Sequence, residues 1–173
     1  MAKKKDDTIL NVDEVYTKTE QFVDKNRNQL TLILGGAAVI IIAFMGYKTL
    51  ISDPAELAAE EAIIQAEHYF SIDSLDLAQF GDGFSAGLEE IMVEHSGTNA
   101  ASRAAYQVGV INRDAGLFEE AITAAKNAIK INPNFSLAYF NLGVAAMQLR
   151  QFDLSKNSFD KAIELEPNFA KYK

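Results

Sequence analysis

The residues Gly83-Phe84-Ser85-Ala86-Gly87 have the G-x-S-x-G spacing of a nucleophile elbow. That elbow works because a strand feeds a strained turn, which lifts the serine above a parallel sheet. No alternating strand pattern precedes Ser85, no βα rhythm runs through the chain, and the one later histidine is His95. The spacing therefore reads as a glycine turn after which Ser85 opens or caps a helix, and no catalytic role is assigned to it. His68 and His95 lie in separate segments with acids nearby, but no HExxH-type spacing links them, so a metal site is not expected. No glycine pattern for a P-loop or a dinucleotide fold occurs. With no cysteine, thiolate zinc sites, iron–sulfur ligation, disulfides and cysteine nucleophiles are all excluded. The sequence thus points to a protein that is not an enzyme and needs no cofactor.

The elements that would carry such residues are helical, since Ala is plentiful, alternation is scarce and only three prolines occur in 173 residues. Sixteen Lys and Arg face 24 Asp and Glu, a net charge of −8. That balance argues against nucleic acid as a partner, because binding it takes a basic stripe that displaces counterions. The charges fall in blocks. Residues 1–47 are neutral in sum; residues 52–101 hold eleven acids and no Lys or Arg; residues 102–173 carry nine bases and seven acids.

Between the first two blocks, LTLILGGAAVIIIAFMGY runs from Leu30 to Tyr47 without a charge. Lys48 can snorkel outward, so a membrane span over 30–51 is expected, and at about 1.5 Å per residue it covers roughly 27–33 Å. Its nine Leu, Ile, Val and Phe residues contribute roughly −3 to −5 kcal/mol to insertion, more than its glycines and Thr31 oppose. A buried soluble helix rarely runs so far without a polar face. A cleaved signal peptide has a shorter apolar core and a small-x-small site, which GYKTLISDPA lacks. Lys18, Lys25 and Arg27 precede the span, while Lys48 stands alone before the acidic block, so the N-terminus is expected in the cytoplasm.

Ahead of the span, Val12, Val15, Tyr16, Thr19, Phe22 and Val23 recur at helical spacing. Two readings fit: an amphipathic helix on the membrane surface or a partner, or a lead-in that extends the anchor. Residues 1–8 are expected to be disordered. Past the span, Asp53 suits an N-cap, Pro54 the first helical position and Glu56 a capping box. The helix so begun would bury Ala55, Ala58, Ala59, Ala62, Ala66, Tyr69 and Phe70 and turn Glu56, Glu60, Glu61 and Glu67 to water. After Gly81-Asp82-Gly83 a second helix would carry Phe84, Leu88, Ile91, Met92 and His95, making 52–101 an acidic helical hairpin.

Residues 102–135 and 136–169 align without a gap at a spacing of 34, with ten identical positions, among them Gly109/Gly143, Phe118/Phe152, Ala128/Ala162 and Pro133/Pro167. This is the tetratricopeptide (TPR) period. Gly109 and Gly143 would sit where the two helices of a repeat cross, and Pro133 and Pro167 would close each repeat. Arg150 stands where the first copy has the turn glycine, Gly116, and Ser155 replaces a helix alanine. The fold class is therefore all-α, one transmembrane helix followed by an α-solenoid of helical hairpins. The expected parts are a cytoplasmic lead 1–29, the span 30–51, the hairpin 52–101, repeats 102–135 and 136–169, and a tail 170–173. The chain runs only four residues past the second repeat, so Phe159 and Ile163 are expected to need cover, from a truncated continuation or from another molecule.

In a stack of such hairpins the first helices line the inner face. The inward positions are Arg103, Tyr106, Val110 and Arg113 in one copy and Leu137, Phe140, Val144 and Met147 in the next. The Lys and Asn residues of clamps for acidic peptide tails are absent from Tyr106, Val110, Phe140 and Val144. An apolar, Met-containing groove suits an amphipathic helix or an unfolded segment of another protein. The competing reading packs these side chains against a neighbouring helix of the same chain.

The order of parts resembles the ancillary subunit family of the bacterial SecYEG translocon. AEHYFSIDSLDLAQFGDGFSAGLEEI (66–91), Thr98-Asn99-Ala100-Ala101 and AAYQVGVINRDAGLFEEAI (104–122) look like members from Bacteroidota-type bacteria. The resemblance covers about residues 10–125. It implies a single-pass protein of the bacterial inner membrane with a periplasmic helical domain, acting as a scaffold in protein translocation beside the translocon and its chaperones. The alternative is a structural protein of the envelope or of cell division that oligomerises through its last helix.

Overall fold

The computed structural model describes residues 20–168. The amphipathic pattern at Val12, Val15, Tyr16 and Thr19, residues 1–8 and the tail 170–173 lie outside them. Phe22 and Val23 fall in a helical stretch over 20–25 and are exposed. The described residues form two compact units divided at Leu50/Ile51.

The first unit is dominated by α1, Arg27–Tyr47. It has 21 residues, none of them buried, and it is long and apolar enough to cross a membrane. A π turn, Lys48–Ser52, follows directly, and α2 (Asp53–Ser71) begins after it. The expected capping box at Asp53 is not built: Ser52 precedes the helix in helical conformation and no side chain caps it. Pro54, which has no N–H, stands in the first turn of α2 as its sequence position implies.

In the second unit α2 is followed by α3 (Leu75–Phe80), α4 (Leu88–Glu94), α5 (Asn99–Asp114), α6 (Phe118–Ile131), α7 (Ser136–Gln148) and α8 (Phe152–Leu165). The acidic segment thus holds three helices where two were expected. Its last one starts at Leu88, which leaves Phe84 in a loop and His95 as the C-terminal cap. Asp82 delays that start: its Oδ1 accepts from the backbone N–H groups of Phe84 (2.9 Å) and Ser85 (2.7 Å), and its Oδ2 from the Tyr69 hydroxyl (2.8 Å). Gly81, at φ +84°, closes the loop; a Cβ there would run into the Ser85 carbonyl.

Helix α5 packs on α2 and α4 much as α7 packs on α5 and α6, so the acidic segment occupies the place of a preceding hairpin. Ile63, Leu88 and Ile91 are fully buried against Ala100, Ala104 and Val108 of α5, and each is worth about 1.5–3 kcal/mol by burial. Between α5, α6 and α7 the core is mostly alanine, which lets these helices approach closely. Gly143 faces the second helix of its own repeat, as its spacing implies, whereas the nearest neighbour of a Cβ at Gly109 comes from the next repeat, with Ala121 and Ala124 of its own second helix at 3.4 and 3.5 Å. A Cβ at Gly143 would lie 2.7 Å from the Phe159 ring, and one at Gly109 would lie 2.9 Å from Asn141 Nδ2.

Candidate functional site

Of the eight positions read from the sequence as inward, four lie on α5 and four on α7, and the structure treats the two copies differently. Arg103, on α5, reaches back to α2. Its Nη1 and Nη2 donate to the Glu60 carboxylate (2.7 and 2.8 Å) and its Nε to Glu67 Oε1 (2.8 Å). These bonds hold the Glu60 carboxyl below its ordinary range and raise the Arg103 guanidinium further. Arg113 reaches forward to α7, where its Nη1 donates to Asn141 Oδ1 (2.8 Å) while its Nε bonds Asp114 (2.8 Å). The Tyr106 ring packs 5.1 Å from Phe135, and burial pushes its phenol up. Val110 is half-buried.

The acids of α2 do meet water, as the helical pattern implied, Glu60 and Glu61 being exposed and Glu56 and Glu67 half-buried, but three of them also hold partners on α5. Glu60 and Glu67 are ion-paired, and Glu56 accepts from the Asn99 backbone N–H (3.0 Å) at the start of α5. Thr98 caps the same end, its Oγ1 accepting from the Ala101 N–H at 3.1 Å. One signal for this was in the sequence: Arg103 is the first base after fifty residues that hold only acids.

On α7, Leu137, Phe140, Val144 and Met147 share one stripe by helical spacing. Phe140 packs on Phe159 of α8 with ring centroids 5.6 Å apart, and Phe159 also lies over Gly143. Part of the cover expected to come from elsewhere is thus internal. Val144 is half-buried, whereas Leu137 (40% exposed) and Met147 (46%) present their apolar surface to solvent. The stripe is therefore divided between an inner packing role at Phe140 and a surface role at Leu137 and Met147. Asn141, fully buried beside them, was not singled out by sequence spacing; its Oδ1 holds Arg113, and its Nδ2 has no hydrogen-bond partner.

Ser85 sits in the Asp82 loop with no strand leading into it, so the geometry that makes a serine nucleophilic is not assembled. No group of three or more His, Asp or Glu among the described residues is placed to hold a metal.

Against known proteins, residues 136–169 match the family described as Tetratricopeptide repeat, and residues 109–150 the one described as TPR repeat. Tetratricopeptide repeat protein 6 of Homo sapiens is 39% identical over 59 residues, which is 34% of this chain and 11% of that protein. The described residues are thus helical without a strand, and residues 109–169 carry tetratricopeptide repeats, a type of protein-interaction module. The match spans about a tenth of the curated relative, so it speaks for the repeats alone.

Proposed function

We propose that the chain is a membrane-anchored scaffold that binds apolar protein segments along α7. The observation that carries this reading is the exposure of Leu137 and Met147 on a tetratricopeptide first helix, in a layer whose arginines are already engaged by neighbouring acids and by Asn141. An apolar segment gains by covering that surface, and the Met147 thioether adapts to different occupants. Helix α1 serves as the anchor, with Lys18, Lys25 and Arg27 keeping the N-terminus in the cytoplasm and residues 52–173 in the periplasm. Tethering raises the effective concentration of the repeats for partners at the same membrane. The likeness of residues 10–125 to ancillary translocon subunits supports an inner-membrane address beside SecYEG and its chaperones.

The test uses full-length protein in its membrane. A photocrosslinker at Met147 is expected to capture a translocon subunit or a periplasmic chaperone, and Leu137→Asp should abolish the capture with helicity unchanged. Capture that survives Leu137→Asp removes the α7 surface from the account. Residues 52–173 that resist external protease in spheroplasts remove the topology.

A further inference from the structure

The helical unit also carries unfilled surface away from the inward stripe. Two adjacent cavities of about 490 Å³ each lie between α4 and α6, with α5 as their floor, and they share Met92 and Asn127. Their floor residues on α5, Ala101, Ala105, Val108 and Asn112, are offset from the inward stripe by about 150° at 3.6 residues per turn. The furrow exists because α4 has seven residues and α6 fourteen, so one flank of α6 is left uncovered. Val93 stands at its edge, 75% exposed. One end is acidic: Glu89, oriented by the Gln79 amide at 2.6 Å, faces Glu119 and Glu120 of the first turn of α6. Lys130 is the sole charged residue lining the other end.

We propose that this furrow is a second docking site, and that it takes a three-turn amphipathic helix of a partner protein with Lys or Arg at the end that meets the glutamates. The occupant's length follows from α6: Glu119 to Ile131 is twelve steps, about 18 Å of helix. Its secondary structure follows from the walls. Both are helices, and an amphipathic helix can lie along the trough between them with its apolar side on Met92, Val93 and Ile131 and its polar side outward. Its charge follows from the three carboxylates, which favour cations and repel an acidic segment. The half-buried Met92, common to both cavities, is the central contact and can repack around different apolar side chains.

The probe is a labelled synthetic helix about three turns long, with leucines at i, i+4 and i+7 and a pair of lysines at one end. It is titrated by fluorescence anisotropy into full-length protein in zwitterionic nanodiscs, with empty nanodiscs as the blank. Saturable binding is expected, weakened about tenfold by Thr123→Arg, which fills the furrow from the exposed face of α6, and several-fold by Val93→Asn. Glu119→Lys with Glu120→Lys should weaken it by a similar factor and reduce its salt dependence. Leu137→Asp should leave it within about twofold, since this site is independent of the α7 surface. Binding no stronger than the blank overturns the proposal. So does equal affinity for a peptide carrying Glu in place of Lys, or a loss in Leu137→Asp that matches Thr123→Arg.

Discussion

The two repeats share a 34-residue frame and ten identities, yet the first is a joint and the second a surface. In the first, the inward side chains are occupied by neighbours: Arg103 by Glu60 and Glu67 of α2, Arg113 by Asn141 of α7, Tyr106 by Phe135. In the second, α8 takes Phe140 through Phe159, and Leu137 and Met147 stay open. A repeat frame fixes which positions face inward. What lies beside each helix decides whether those positions hold the stack together or are left for a partner.

The sharpest test of that division is truncation on either side of it. Ile63→Ala removes a fully buried side chain from the packing of α2 on the first repeat and should cost about 2–5 kcal/mol in urea unfolding. Leu137→Ala, at 40% exposure on the second repeat, should cost under about 1 kcal/mol. Comparable losses at the two sites would erase the distinction between joint and surface. The crossing glycines come next. Gly143→Ala forces a methyl against the Phe159 ring, with an expected loss of about 1–3 kcal/mol despite alanine's better helix propensity. Gly109→Ala meets a single side-chain amide and should cost less in the same thermal melts.

The repeats were legible because a spacing of 34 with small residues at the crossings leaves few alternatives, and α1 because a long uncharged apolar run has few other uses. The joint was not. Periodicity places Glu60 and Glu67 opposite the alanine face of α2, and nothing local says that a guanidinium thirty-six residues beyond Glu67 will meet them there. The Asp82 loop was hidden for a similar reason. Phe84 fits the apolar stripe of the following helix, but a side-chain carboxylate competes for the backbone N–H groups that would have begun it, and Phe84 is left fully exposed. The furrow between α4 and α6 depends on α4 being short, which that same competition produces.

A smaller effect sharpens the electrostatic side of the joint. Arg103→Met keeps the aliphatic packing and removes the charge; with roughly a third of the side chain exposed, solvent screening limits the expected loss to about 1 kcal/mol. The sign with pH follows from Glu60, whose carboxyl is lowered by the hydrogen bond from Arg103. A lowered folded value means that the pair contributes fully above the ordinary carboxyl value of 4.5 and fades as pH falls through the lowered one. Melting temperatures of the two proteins should therefore differ at pH 7 and converge in acid. A difference that persists to pH 2 would assign the effect to packing instead.

The smallest expected change is a gain. Gly116 and Arg150 occupy the same place in the two repeats, after the first helix, and both adopt the left-handed conformation, φ +79° and +57°. Glycine enters that region freely, whereas a residue with a Cβ is strained there by about 1–2 kcal/mol. Arg150 is exposed, so removing its side chain takes away no buried contact. Arg150→Gly should then stabilise the second repeat by up to about 1 kcal/mol, the relief of strain being partly offset by the greater freedom of glycine in the unfolded chain. Gly116→Arg, the mirror experiment, should destabilise the first by a similar amount. If Arg150→Gly lowers the melting temperature instead, the guanidinium is held by contacts that outweigh its backbone strain, and the turn of the second repeat is then a built feature rather than a tolerated substitution.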